Sequence, residues 1–232
     1  MTRSDPRDLN GAHVAVVGGT GALGSRVVRV LGERGAVVTV VGRDRGRLES
    51  LGAGGSVVVG DLGDERLGDR LAATVQEHHG GRLDGLVNAA GVVAFGPLVD
   101  TDDEVVEQLF LTNVIGPLWL LRRVLPLLEE SRGFVAQLSG LVAEQPTARM
   151  AAYSASKAAL AAADQALATE LRRSGVDVVD LRPPHTETGL AGRPLSGESP
   201  RMPQGLDPDT VAERVVAAVE ARERVVGPRD FG

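Results

Sequence analysis

Short unbroken apolar runs alternate along this chain with stretches whose apolar residues recur three and four apart. Ala12 to Val17 is the first run, closed by Gly18, and Ser25 to Leu31 follows with the spacing of one helix face. Val37 to Val41, Val57 to Val59 and Leu83 to Val87 repeat the first pattern. Runs this uniformly apolar do not suit strands with one wet face, so they predict strands covered on both sides. Helices are expected between them near Arg45 to Leu51 and Asp64 to His78. Connections of that length are too long for hairpins and favour parallel pairing.

The second half continues the alternation. A helix is expected from about Asp102 to Glu129, interrupted near Gly116 and Pro117 and kinked in its last turns by Pro126. Phe134 to Leu138 and Val176 to Leu181 read as buried strands on either side of an alanine-rich helix from Ala151 to Arg173. Pro183 to Leu206 is a long loop punctuated by proline and glycine, and loops of that length in compact domains often act as lids. Asp207 caps a last helix reaching Arg222, with Pro208 at its first position, and Val225 and Val226 form a short edge strand. No linker or internal repeat breaks the pattern. The expected organisation is a single α/β domain over residues 12–232, with a mostly parallel β-sheet carrying helices on both faces, behind a flexible segment at 1–11.

Composition narrows the chemistry. With 232 residues, 43% of them apolar and 24% charged, the chain can bury one sizeable core. Glycine takes 30 positions without any repeating period, so the glycines mark turns and close backbone approaches. Zero cysteines and four scattered histidines exclude a disulfide framework, an iron–sulfur centre and a thiol nucleophile, and no metal site is expected. A formal net charge of −6 argues against a nucleic-acid partner. No apolar run reaches the roughly 18 residues of a membrane span, and the polar start lacks the apolar middle of a secretory signal. The expected location is cytoplasmic, and the expected partner is a small molecule.

The segment Gly18-Gly19-Thr20-Gly21-Ala22-Leu23-Gly24 stands where the first strand meets the first helix. Glycines there let backbone N–H groups and a helix N-terminus approach a pyrophosphate, although a tight turn in any α/β protein reads the same way. After the second strand comes Gly42-Arg43-Asp44. A cofactor with free ribose hydroxyls wants a carboxylate at that strand's end, where Gly42 stands instead. Arg43 offers a cation to a 2′-phosphate, which favours NADP(H) over NAD(H). Asp44, about 20 residues past Gly24, and a merely solvated Arg43 are the competing readings. Asp61 follows the third strand and Asn88-Ala89-Ala90-Gly91 the fourth, at the strand ends where ligands bind in such sheets. Asp61 suits an adenine amino group, and local turn chemistry accounts for each of these residues equally well.

The only lysine, Lys157, follows the only tyrosine, Tyr153, by four positions. Residues so spaced share a helix face. A phenol with an ordinary pKa near 10 is a poor acid–base group at neutral pH, and a cation one turn away lowers that pKa.

In this company the chain resembles the short-chain dehydrogenase/reductase family over essentially its whole length. The glycine turn, Asp61-Leu62, Asn88 to Gly91, Asn113, Tyr153-Ser-Ala-Ser-Lys157 and Pro183 to Thr188 stand in that family's order and spacing. The resemblance implies a Rossmann-type doubly wound fold and an NAD(P)-dependent oxidoreductase that interconverts a carbonyl and an alcohol. It implies that Tyr153 exchanges a proton with the substrate oxygen, that Lys157 holds the nicotinamide ribose, and that Asn113 and Ser139 support them. Cofactor contacts are implied at Gly18, Thr20, Gly21, Leu23, Gly24, Arg43, Asp61, Leu62, Asn88, Ala90, Gly91, Tyr153, Lys157, Pro183, Thr186 and Thr188. A homodimer or homotetramer built on the long helices is implied as well.

The family pattern is not met everywhere. Its middle turn glycine falls on Ala22, and the spacing Gly18, Gly21, Gly24 is that of the family's extended branch. The family's serine, thirteen positions before the tyrosine, falls on Gly140, while Ser139 stands fourteen before. Either Ser139 reaches the substrate oxygen or the site lacks that hydroxyl. Pro184 takes the place of a glycine, and Ala89 that of an asparagine. Gly140 keeps open the alternative of a catalytically weak nucleotide-binding regulator on the same fold. A sugar epimerase of the extended branch is disfavoured by the chain's length. His185 reads as a loop residue, His78 and His79 as solvent-facing, and Trp119 as core or interface.

Overall fold

The computed structural model describes residues 5–51 and 55–232. Every expected run forms a strand: β1 (His13–Val17), β2 (Val37–Gly42), β3 (Val57–Val59), β4 (Gly85–Asn88), β5 (Phe134–Leu138), β6 (Asp177–Leu181) and β7 (Val225–Val226). They pair in parallel in one sheet of order β3-β2-β1-β4-β5-β6-β7. Helices α1 (Ala22–Glu33), α2 (Arg45–Ser50), α3 (Leu67–His79), α4 (Asp103–Phe110), α5 (Gly116–Ser131), α6 (Ala151–Glu170) and α7 (Pro208–Glu220) make the crossovers. Strand order reverses between β1 and β4, so the loops leaving their carboxyl ends diverge and open a crevice there. Val17 lies opposite Asn88 in the ladder, and the N–H of Ala89 donates to the Val17 carbonyl at 2.9 Å. Gly18 and Ala89 therefore leave the sheet side by side.

The alternation of β1 explains why its sequence reads as one apolar run. Val14 and Val16 enter the core shared with α1 and α7, whereas Ala15 and Val17 enter the core shared with α3 and α5. Both faces are dry. The expected interruption near Gly116 takes the form of a π turn, Leu111–Ile115, so that α4 and α5 run on as one helix, and α5 continues through Pro126 to Ser131. A Cβ on Gly116 would stand 2.2 Å from the Leu62 carbonyl, so glycine is needed for this helix to lie against the loop after β3. By length and composition the stretch Asp103–Ser131 could cross a membrane, but half of its most apolar window is buried and α5 packs against α3. It is a core helix of the domain.

Two expectations need correction. The segment at 1–11 was expected to be flexible, yet within its described part Leu9 is only 2% exposed. The N–H of Arg7 donates to the Glu220 carbonyl at 2.7 Å, and its guanidinium pairs with Asp177 at 2.7 Å. Burial of one leucine and one ion pair ties these residues to α7 and β6; residues 1–4 lie outside the described residues. His79, expected to face water, instead stacks on His13 with ring centroids 3.7 Å apart. His13 Nε2 bonds to Thr39 Oγ1 at 2.8 Å, Thr39 to Ser56 at 2.8 Å, and Ser56 to His79 Nε2 at 2.9 Å.

Burial and the neighbouring imidazole hold His13 below the usual histidine range, and burial does the same for His79. The unfolded chain then takes up protons below about pH 6.5 that the folded chain refuses. Stability is expected to fall as pH drops from about 6.5 toward the lowered folded values. Urea midpoints measured at about pH 7.5 and 5.5 check this, and His13→Gln should flatten the difference between them.

Candidate active site

At the carboxyl end of β1 the glycine turn wraps toward α1. Gly18 has φ +73°, a conformation that favours glycine, and a Cβ there would stand 2.8 Å from the Ala90 amide nitrogen. Gly24 lies in the first turn of α1, where a Cβ would meet the Gly18 carbonyl at 2.2 Å. The helix thus starts directly on the turn. Gly21 caps α1 without a side-chain acceptor, and first-turn N–H groups have no intrahelical partners. A bare turn, an uncapped helix start and no side chain between them fit a pyrophosphate. Thr20 packs against Gly42, its Oγ1 3.0 Å from where a Cβ there would stand, while Leu23, 9% exposed, turns into the core.

The end of β4 is shaped from within. Asn88 is 2% exposed, donating through Nδ2 to Gln137 Oε1 at 3.1 Å and accepting from the Ala90 amide at 3.2 Å. Its buried side chain holds the turn into Ala90 and Gly91. A Cβ on Gly91 would lie 3.3 Å from both Lys157 Nζ and Asn113 Oδ1. Bare backbone at Gly91 lets β4, the π turn and α6 close on one point.

Asn113 sits in the π turn, 1% exposed. Its Oδ1 accepts from the Val92 amide at 3.0 Å, and Nδ2 donates to the Val92 carbonyl and to Ser156 Oγ, each at 3.0 Å. The side chain is fully used as a clamp. Pro117, four residues on, has no N–H to return to the Asn113 carbonyl. Departures from regular helix of this kind recur at functional sites.

Tyr153 and Lys157 occupy the first two turns of α6. Lys157, 6% exposed, donates from Nζ to the Leu138 carbonyl at 2.8 Å. Burial lowers its pKa to about 8, against the pull of Asp164 and Asp180. Burial pushes Tyr153 up to about 12. Both shifts run against the charged forms, so the phenol is pushed up rather than made more acidic, and the ammonium is turned to Leu138.

Ser139 is not brought into the crevice. It is 0% exposed, and its hydroxyl donates to Asp180. Asp180 also takes Arg182 Nε at 2.8 Å and Nη2 at 2.7 Å. The expected supporting role for this hydroxyl is therefore corrected: it belongs to a buried ion pair. Gly140, at φ +83° and ψ 165°, has room around it, the nearest atom to a Cβ being the Pro183 carbonyl at 3.9 Å. The position has space for a side chain but a backbone that only glycine adopts readily.

The remaining residues stand at the ends of β2 and β3 and in the long loop after β6. Arg43 is 80% exposed and lies 3.5 Å from Asp61, whose Oδ1 also accepts from the Gly63 amide at 2.8 Å. Leu62, 5% exposed, packs into the core under the π turn, so its side chain makes no rim contact. Pro183 accepts from the Leu141 amide at 3.0 Å and anchors the long loop. Thr186 donates to the Pro184 carbonyl at 2.9 Å and pairs with Leu206, while Thr188 Oγ1 accepts from the Leu190 amide at 3.4 Å. Farther on, Leu195 donates to Val93 at 2.8 Å and Phe95 to Ser196 at 2.9 Å, strapping the loop over the residues that follow Gly91. Gln137, Ser156, Asp164 and Asp180 were missed in the sequence. For Gln137 and Asp164 the signal was a polar residue within an apolar strand or an alanine-rich helix face.

A parallel sheet that gathers a glycine turn, Asn113, Tyr153 and Lys157 at its reversal point defines a nucleotide-dependent oxidoreductase of Rossmann type. The chain belongs to the short chain dehydrogenase family, whose model matches residues 12–198. An uncharacterized oxidoreductase of Staphylococcus epidermidis is 32% identical over 213 residues, covering 89% of this chain and 90% of the relative. A short chain dehydrogenase of Pseudocercospora fijiensis is 33% identical over 192 residues, covering 78% and 62%. Among solved structures, a short chain dehydrogenase from Burkholderia cenocepacia in complex with NADP superposes with a TM-score of 0.84 at 24% identity, covering 97% of this chain and 91% of that one. A 3-ketoacyl-(acyl-carrier-protein) reductase from Brucella melitensis complexed with NADH gives 0.83 at 23% identity, covering 97% and 100%. At those identities the likeness is one of fold. The chain is an NAD(P)-dependent oxidoreductase of this family.

Proposed function

We propose that the protein interconverts a small-molecule carbonyl and alcohol, prefers NADP(H) to NAD(H), and uses Tyr153 as its acid–base group. The observation that carries this reading is the convergence of Lys157 Nζ and Asn113 Oδ1 on Gly91, one helical turn from Tyr153. When bound, the nicotinamide supplies or takes the hydride. Tyr153 gives its proton to the substrate oxygen in reduction and takes it back in oxidation. Lys157 holds the ribose hydroxyls and places positive charge beside the phenol. The Asn113 carbonyl, to which Pro117 offers no N–H, holds water that connects the lysine to solvent. Gly18 to Gly24 and the start of α1 hold the pyrophosphate, Asp61 the adenine amino group, and Pro183, Thr186 and Thr188 the nicotinamide side.

The NADP(H) preference rests on Gly42, which takes the place of a carboxylate at the end of β2, and on Arg43 beside it, a cation for a 2′-phosphate that also lies 3.5 Å from Asp61. Arg43→Ala is expected to raise the KM for NADPH about tenfold, the low end for a charged hydrogen bond at an exposed site, and to leave that for NADH unchanged. Equal effects on both cofactors would remove Arg43 from the phosphate. A second reading, a nucleotide-binding regulator with little turnover, is favoured by Gly140 and by the diversion of Ser139 to Asp180. A panel of ketones, quinones and aldehydes with NADPH separates the two: tight NADPH binding without turnover of any carbonyl selects the regulator.

We infer further that the protein works in the cytoplasm as a homodimer or homotetramer. Ile115 and Leu118 on the outer face of the α4–α5 helix, each 38% exposed, and the alanine-rich α6 support an interface there. A monomeric mass in light scattering would exclude it.

A further inference from the structure

Lys157 is a buried ammonium whose one hydrogen bond runs to a neutral carbonyl, that of Leu138. The carboxylates that act on it are Asp164 and Asp180. Asp180 is already neutralised, because Arg182 forks onto it and Ser139 donates to its other oxygen. Among the described residues no cation forms an ion pair with Asp164. It stands two turns beyond Lys157 on the inner face of α6 and is 1% exposed. Its Oδ1 accepts from Gln137 Nε2 at 2.5 Å, and its Oδ2 is buried without a hydrogen-bond partner. A desolvated cation and a desolvated carboxylate, neither directly paired, each carry a penalty that the other's charge offsets.

We propose that Asp164 is the counter-charge of Lys157, a positioning residue that acts on the proposed reaction only by keeping the lysine protonated. Its part in turnover rests on the reading of Lys157 given above. Burial pushes Asp164 up to about 7, against the Gln137 hydrogen bond and the charges of Lys157 and Arg182, while Asp180 adds to the rise. The lysine, at about 8, is drawn upward by the carboxylate. Below about pH 7 Asp164 takes up a proton and the lysine loses that support; above about pH 8 the lysine itself discharges.

The other groups around Asp164 do not replace this pairing. From β6 and its end come Asp180 and Arg182, which neutralise each other. From β5 comes the uncharged Gln137. The π turn and the turn at Leu141–Ala143, both packed on α6, carry no charge, and Asp103, Glu104 and Glu107 of α4 are exposed. Arg172 and Arg224 line a cleft of about 180 Å³ that also touches Asp164 and Asp180. None of Tyr153, Asn113 or Gly91 lines that cleft, so it gives Asp164 a route for proton exchange apart from the substrate crevice.

The composition of the chain makes the test direct. Lys157 is its only lysine, so carbon-13 labelling at lysine Cε yields one resonance that reports this group alone. Asp164→Asn keeps the acceptor for Gln137 and the side-chain volume while removing the charge. In the variant without nucleotide the lysine midpoint is expected about one pH unit lower than in the wild type, the size for loss of a unit charge roughly 10 Å away, seven helical residues, at an effective dielectric constant of about 20. The high-pH fall in kcat/KM should move down with it. An unmoved lysine midpoint overturns the proposal. In the wild type the same resonance should show a second inflection near pH 7 from Asp164, which does not depend on the variant folding, and a single inflection overturns it equally. A shifted lysine midpoint with an unmoved pH profile keeps the counter-charge and overturns the role of Lys157 in turnover.

Discussion

Tyr153→Phe is expected to lower kcat for any carbonyl substrate by about 10²- to 10⁴-fold, the range for loss of a positioned proton donor. NADPH affinity should be unchanged, because phenylalanine keeps the ring's packing on α6 and removes only the hydroxyl. Stopped-flow turnover beside a fluorescence titration of NADPH checks both halves. A variant that retains wild-type turnover places the proton elsewhere, and one that loses NADPH makes the tyrosine a binding residue. The direction of the pKa shifts adds a pH signature. Tyr153, raised to about 12, stays protonated across the neutral range, whereas Lys157 discharges as pH rises through about 8. Carbonyl reduction needs the protonated phenol, so its kcat/KM is expected to be level near neutrality and to fall above about pH 8. Alcohol oxidation needs the phenolate and should still be rising there.

The strands were legible because each is buried on both faces, so an unbroken apolar run marked it without any need to resolve a period. β3, β5 and β7 appear with the expected bounds. The crevice was legible for a related reason: parallel strands deliver their ends to one edge, and the glycine turn, Asn88 and Tyr153-x-x-x-Lys157 each follow or flank such an end. What the sequence did not disclose was which way a polar side chain turns. Asn88 and Ser139 stand at strand ends beside the crevice, yet Asn88 turns to Gln137 and Ser139 to Asp180. Those partners lie 49 and 41 positions away, and no local pattern carries that information. The upward shift of Tyr153 was hidden for a different reason. Helical spacing put the lysine on the right face but said nothing of burial, and burial is what pushes the phenol up. The docking of Arg7 and Leu9 was hidden in the same way, since their partners on β6 and α7 come from the far end of the chain.

Two glycine-to-alanine changes in α1 should move the protein in opposite directions. At Gly32 nothing lies within 4 Å of a new Cβ, and the residue is helical. Alanine there restricts the unfolded chain without touching the folded one, and a gain of about 0.5–1 kcal/mol is expected. At Gly24 the same methyl would stand 2.2 Å from the Gly18 carbonyl and 3.0 Å from the Gly19 Cα. Both obstacles are backbone, so no side chain can rotate away, and the helix start must retreat from the turn. Overpacking of this kind costs about 1–3 kcal/mol. The functional loss should exceed the structural one, because a 1 Å displacement of a binding element costs about 10²-fold. Thermal unfolding with and without NADPH separates the terms. Gly32→Ala should melt higher in both conditions, while Gly24→Ala should melt lower and lose the stabilisation that NADPH gives the wild type. Should Gly24→Ala keep that stabilisation in full, the pyrophosphate does not sit on the start of α1, and the path assigned to the cofactor across β1 and β4 fails with it.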